Sequence, residues 1–243
     1  MRQLRRKSIY ILLLTTTLIL NYSCKNRYYE AQLQQYKKNR ILSLNFDNNT
    51  SDLSGNNNGL TPQRISYTKD FLRKKNCAAY FDGENSSIIS NDNDLYDLKS
   101  SFTFSAWIKP ETNKAYIIQK KMDYNGGGPY SFDFFPGKLR IILYFSPSDY
   151  FVLEGNSPIV TNTWQYVAAT WDGNSVRLYL NGKLDKESIL TQKSILNSSK
   201  PLGIGLYQWN PTRFSFKGAM DNLEIYNVAL PQSVIETKYK KYK

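Results

Sequence analysis

Two acids near the C-terminal end, Asp221 and Glu224 in "FKGAMDNLEIYN" (216–227), are the residues whose types could do chemistry together. Paired carboxylates hydrolyse glycosidic bonds when they stand about 5–5.5 Å apart (retaining) or about 6.5–9.5 Å apart (inverting). The segment reads as a β-strand, whose side chains alternate faces. Acids three residues apart therefore point opposite ways unless a bulge intervenes. No other strand offers a better spacing, so no catalytic residue is assigned, and Glu224 is expected to face solvent. Asp82 of "FDG" and Asp172 of "WDG" read as turn formers that accept local hydrogen bonds. The chain has no histidine, which removes Ser-His-Asp and Cys-His catalysis. With two cysteines it has no ordinary zinc cage either. Any metal would be a hard cation on oxygen ligands.

The second chemistry open to these residues is sugar recognition, in which aromatic rings meet the apolar faces of sugars and polar side chains bond the hydroxyls. Tyrosines number 19 and tryptophans four, so position must discriminate. Trp107, Trp164 and Trp171 lie in strand runs and are expected in the core or on a sheet face. Trp209 lies instead in "GLYQWNPTRF", a polar, proline-containing segment between two strand runs. With Tyr207 and Arg213 it forms the leading candidate site, since recognition usually sits in loops at the ends of a scaffold. Folding back of Trp209 over the end of the domain is the alternative. "DYNGGGPY" offers Tyr124 and Tyr130 on a glycine-rich loop, and "SPSDYFVLEGN" offers Tyr150.

The elements that must position these residues are strands. From Ile41 onward, short runs of Val, Ile, Tyr, Phe and Thr alternate with clusters of Asn, Gly, Asp and Ser. "WQYVAATWDGNSVRLYLNG" predicts a hairpin through Asp172-Gly173, followed by a second turn at Asn181-Gly182. Alternation puts Val176, Leu178 and Leu180 on one face. In "KLRIILYF" it sets Leu139, Ile141, Leu143 and Phe145 against Arg140, Ile142 and Tyr144. Many such strands indicate an antiparallel sandwich or barrel. Helix is expected only as a short turn after Pro231.

Five segments in order, "LNFDNNTSDLSGNNNGL", "AAYFDGENSSIIS", "SFTFSAWIKP", "WQYVAATWDGNSVRLYLNGK" and "FSFKGAMDNLEIYNVALP", resemble the LamG-like, concanavalin A-like domains of bacterial surface proteins. The resemblance spans about residues 41–240. It implies an all-β fold, a two-sheet antiparallel jelly-roll sandwich, in a family whose members are mostly noncatalytic and often bind glycans. Related glucanases carry acids on alternate residues of one strand, and this chain has Met220 and Leu223 where such acids would stand. The resemblance further implies calcium near Asp221, with Asp47 as the partner ligand and Asp52 as a weaker one. Capping of backbone N–H groups by Asp221, with no ion, is the other reading.

The termini carry most of the net charge of +12, and residues 41–235 are nearly neutral, so nucleic-acid binding is not expected. Arg2, Arg5, Arg6 and Lys7 precede an apolar run, Ile9–Leu20, that is too short to span a bilayer and reads as a signal peptide (1–23). "LNYSCKN" resembles the lipobox of bacterial lipoproteins, with Asn21 where the usual pattern has Leu, Ala or Val. The resemblance implies lipid on Cys24, an outer-membrane-anchored lipoprotein of the cell envelope, and a basic tether over 24–40. An ordinary signal peptide with an incidental cysteine is the alternative. Cys77 is then a buried, free thiol. The partners expected are a polysaccharide or glycan and the membrane. A protein-interaction or adhesion module of the envelope is the competing class, and a polysaccharide lyase or hydrolase a third.

Overall fold

The computed structural model describes residues 30–121, 128–191, 193–210 and 213–241. Cys24 and Tyr124 lie outside the described residues, as does the signal segment.

Two antiparallel sheets stack as a jelly-roll sandwich, as the strand pattern and the resemblance require. One sheet runs, in spatial order, Lys183–Ile189 (β13), Ser175–Leu180 (β12), Gln165–Trp171 (β11), Phe102–Pro110 (β6), Lys217–Tyr226 (β15), Ala78–Asp82 (β4) and Ser66–Thr68 (β3). Arg40–Leu44 (β1) pairs with β15 as the eighth strand. The facing sheet runs Tyr150–Pro158 (β10), Lys138–Tyr144 (β9), Tyr130–Phe134 (β8), Ala115–Lys120 (β7), Leu202–Ile204 (β14), Ser87–Ser90 (β5) and Leu60–Gln63 (β2). The α-helix Gln232–Lys241 (α1) closes the described chain and is longer than the single turn expected.

The hairpin forms where the sequence places it. Asp172 Oδ1 accepts from the N–H groups of Asn174 and Ser175 (2.9 and 2.8 Å), and Gly173 takes φ +86°. Asn181 and Gly182 both adopt positive φ, the geometry that matches the strand twist at a tight hairpin turn. Alternation sends Val176 and Leu178, and Leu139, Ile141 and Leu143, into the core between the sheets. Cys77 is buried and free, as expected.

A second, smaller core lies on the outer face of the eight-stranded sheet. Trp107, Tyr166, Tyr179 and Tyr226 project there and are covered by Val234 and Ile235 of α1. Leu33 and Tyr36 pack against the same cluster, and Thr237 Oγ1 and Gln32 Oε1 are 2.5 Å apart. The packed unit therefore begins before Ile41, inside the segment expected to serve as tether. The apolar positions there are few, but α1 supplies the surface that makes them worth burying.

Strand β15 carries a bulge. Asp221 pairs with Trp107 and Glu224 with Ser105, so three steps on β15 match two on β6, and Asn222 takes φ +46°. The extra residue resets the alternation, and both acids reach the outer face. Glu224 does not face solvent. It lies between the Arg40 guanidinium (3.1 Å) and the Lys238 ammonium, its side chain 13% exposed, and Tyr226 Oη stands 3.3 Å from Oε1. Burial opposes its ionisation, but the two cations hold it below the usual carboxylate range.

Candidate ligand-binding face

The segment between β14 and β15 folds across the outer face of the seven-stranded sheet. Gly205 turns it there with φ +71°, beneath the ring of Phe81, where a Cβ would collide. Gln208 anchors it: its N–H donates to Gln119 Oε1 (2.9 Å) and its amide to the Gln119 carbonyl (2.5 Å). The Gln208 side chain fits because Gly203 beneath it has none.

This anchoring places the leading candidates unequally. Tyr207 stacks on Tyr116 of β7, with centroids 4.7 Å apart and planes 19° apart, and Phe214 leans on it at 5.8 Å. Trp209 is half-buried, and the Lys121 ammonium sits 4.9 Å from its ring centre. Arg213 is exposed, its guanidinium 5.0 Å from the Phe214 ring centre. Tyr150, at the start of β10, is 56% exposed and stacks on Tyr144 (5.2 Å). Tyr130 does not belong to the face. It is 1% exposed and its hydroxyl donates to the Tyr96 carbonyl (3.0 Å), so it is a core residue out of reach of a ligand.

Three residues of the face escaped the sequence reading as site residues. In the strand register Tyr116 lies opposite Asp133, which lies opposite Arg140. Asp133 is buried and accepts from Arg140 Nε (2.8 Å) and Ser131 Oγ (3.0 Å). Tyr144 follows Arg140 on the same side of β9. Burial pushes the Tyr116 hydroxyl up, and the Asp133 charge adds to that. Burial does the same for Tyr144, with Tyr150 and Tyr207 contributing. The result is two stacked tyrosine pairs flanking a buried-anchored arginine, an array of rings and hydroxyls at fixed positions on a sheet. Such an array can stack on sugar rings and bond their hydroxyls without first ordering a loop.

Asp47 and Asp221 line one pocket of about 360 Å³, together with Asp70. Asp221 is 2% exposed, and burial, with Asp70 and Asp47 nearby, pushes its carboxyl up to about 8 against the pull of the Asn222 N–H at 2.6 Å. Asp47 is engaged by Asn45 Nδ2 (2.6 Å) and Lys74 (3.6 Å). Among the described residues, no three His, Cys, Asp or Glu side chains are arranged to hold a metal ion. Asp52 staples its own loop, bonded to Ser43, Ser54 and Asn58.

Residues 82–236 match the concanavalin A-like lectin/glucanases superfamily, and the chain belongs to that superfamily. No curated protein matches the chain. Among solved structures it is similar to the binding domain of Paraclostridial Mosquitocidal Protein 1, with TM-score 0.69 and 22% identity over 85% of this chain and 53% of that one. It is also similar to a botulinum neurotoxin type C structure described as dependent on two ganglioside molecules for cell entry (TM-score 0.67, 17% identity, 87% and 53%). A third is the binding domain of botulinum neurotoxin DC in complex with rat synaptotagmin II (TM-score 0.66, 18% identity, 86% and 53%). The chain spans about half the length of these structures, and at these identities the likeness establishes the fold alone.

Proposed function

We propose that the chain is a noncatalytic glycan-binding module of a bacterial envelope, held to the outer membrane through lipid on Cys24. The observation that carries this reading is the outer face of the seven-stranded sheet, where Tyr207 on Tyr116 and Tyr150 on Tyr144 flank Arg140. The superfamily and the similar structures, described as binding domains, support a binding role. The state of the β15 acids supports the absence of catalysis, since both Glu224 oxygens are engaged by Arg40 and Lys238. Calcium on Asp47 and Asp221 belongs to the proposal as a structural ion, supported by their shared pocket.

The test is retention of the purified chain on a broad panel of immobilised polysaccharides, with and without calcium, beside Tyr207→Ala and Trp209→Ala checked for unchanged thermal unfolding. Retention that Tyr207→Ala abolishes, with no shortening of the polysaccharide, is the expected result. Shortened chains would make it an enzyme. Retention lost on chelation would give calcium a role in binding, and retention unaffected by chelation would give it none there.

A protein partner is the second reading, favoured by one feature. Val152 (43% exposed) lies beside Tyr150 on the outer side of edge strand β10, next to the half-exposed Ile142. An apolar strip on a strand edge suits a protein surface better than a sugar. Charged substitution at Val152 would abolish such an interaction and leave polysaccharide retention intact.

A further inference from the structure

A separate cavity opens on the outer side of the other sheet. It has a volume of about 630 Å³ and lies between the β3–β4 loop (69–77) and the turn before β11. Phe71 of that loop is folded down onto Trp107, stacked at 4.4 Å, and stands edge-on to Trp164 at 6.0 Å. Half-buried Trp164, Phe71 and Tyr80 thus give the cavity aromatic walls, and Asn162 and Thr68 add an amide and a hydroxyl.

Some cations of the molecule are neutralised by acids: Arg140 by Asp133, Arg177 by Asp172 and Glu187, Lys193 by Asp149, Arg40 by Glu224. Lys69, Arg73 and Lys109 all line the cavity, and among the described residues none of them has an acid partner. The two acids of the lining are already engaged. Asp70 accepts from the Lys74 N–H (2.7 Å), and Glu111 is bonded by Tyr80 (3.3 Å) and paired with Lys217 (4.0 Å). Arg73 also holds φ +65°, where glycine or asparagine is the inexpensive residue. The loop bears that cost with an arginine at the rim.

Aromatic walls beside three free cations are what an acidic sugar requires: a ring to stack on and counter-charges for its carboxylate or sulfate. We infer that this cavity is a second saccharide site, distinct from the tyrosine face, that takes anionic sugar units, with Trp164 as platform and Lys69, Arg73 and Lys109 as counter-ions. It stands on observations separate from those behind the tyrosine face, so either site can fail without the other.

The test compares binding of polygalacturonate with binding of its fully methyl-esterified form, which keeps the backbone and removes the charge. The purified chain is titrated with each, beside Lys69→Gln/Arg73→Asn, Trp164→Ala and the charge-matched Lys99→Gln/Lys183→Gln. Asparagine is chosen at 73 because it tolerates the backbone conformation. The expected result is at least tenfold tighter binding of the acid form, lost in Lys69→Gln/Arg73→Asn and in Trp164→Ala. Lys99→Gln/Lys183→Gln should retain it. Equal binding of the two polymers overturns the inference, as does an equal loss in the charge-matched control, which would mean attraction to overall charge. A loss confined to binding of phosphatidylglycerol vesicles, with polygalacturonate unaffected, overturns it in favour of a lipid surface.

Discussion

Glu224 shows how one residue can look catalytic in a sequence and be structural in the fold. Its carboxylate joins Arg40 of the first strand to Lys238 of the helix, so the first strand, β15 and the helix share one charge cluster. Removing the acid leaves two cations facing each other in a largely dry site. Glu224→Gln should therefore cost about 3 kcal/mol of stability, read as a shift in the urea midpoint. A fall of only a few tenths would mean that water screens the cluster. Asp82 carries a pH dependence of known sign. Burial alone would raise its carboxyl, but N–H groups of Glu84, Asn85 and Ser86 donate to Oδ1 and bring it down to about 2. A folded value below the unfolded one stabilises above about pH 4, and that increment is lost as pH falls toward 2. The stability gap between the wild type and Asp82→Ala should accordingly close between pH 5 and pH 2, measured by denaturant unfolding at each pH.

At the scale of elements, the β14–β15 connection and the β15 bulge decide what the molecule presents. Gly205→Ala would place a Cβ against Phe81 in a backbone conformation that resists one. It should cost about 2–3 kcal/mol and loosen Tyr207 from Tyr116, seen as a lower melting temperature together with weaker polysaccharide retention. The strands and the Asp-Gly hairpin were legible because period-two alternation and turn chemistry are local. Nothing local marks Asn222 as an extra residue, because a bulge is defined only against its partner strand. Tyr130 could have been placed correctly: it shares the period of Phe132 and Phe134, both of them core. Arg140 and Tyr144 were read onto the outward side of their strand. Their neighbours Tyr116 and Tyr207 come from other strands and loops, so the face existed only once the sheet order was known. The second core was hidden likewise, since Trp107, Tyr166 and Tyr179 signal burial but not the helix that covers them.

At the scale of the whole molecule, β15 is the strand on which everything converges. It pairs with β6 on one side and with β1 and β4 on the other, at the middle of its sheet, although it is the last strand in sequence. Deleting residues 217–241 should abolish cooperative unfolding altogether. The same position sets a schedule. A growing chain reaches β15 only after the other described strands have been made, and until then β6, β4 and β1 wait with open edges, exposed to wrong pairing. Closure across more than a hundred residues also makes the folding step slow compared with a protein built from neighbouring contacts. The molecule therefore spends its vulnerable period before its last strand arrives, and a stalled or nicked chain ending short of Lys217 is a natural substrate for chaperones and proteases.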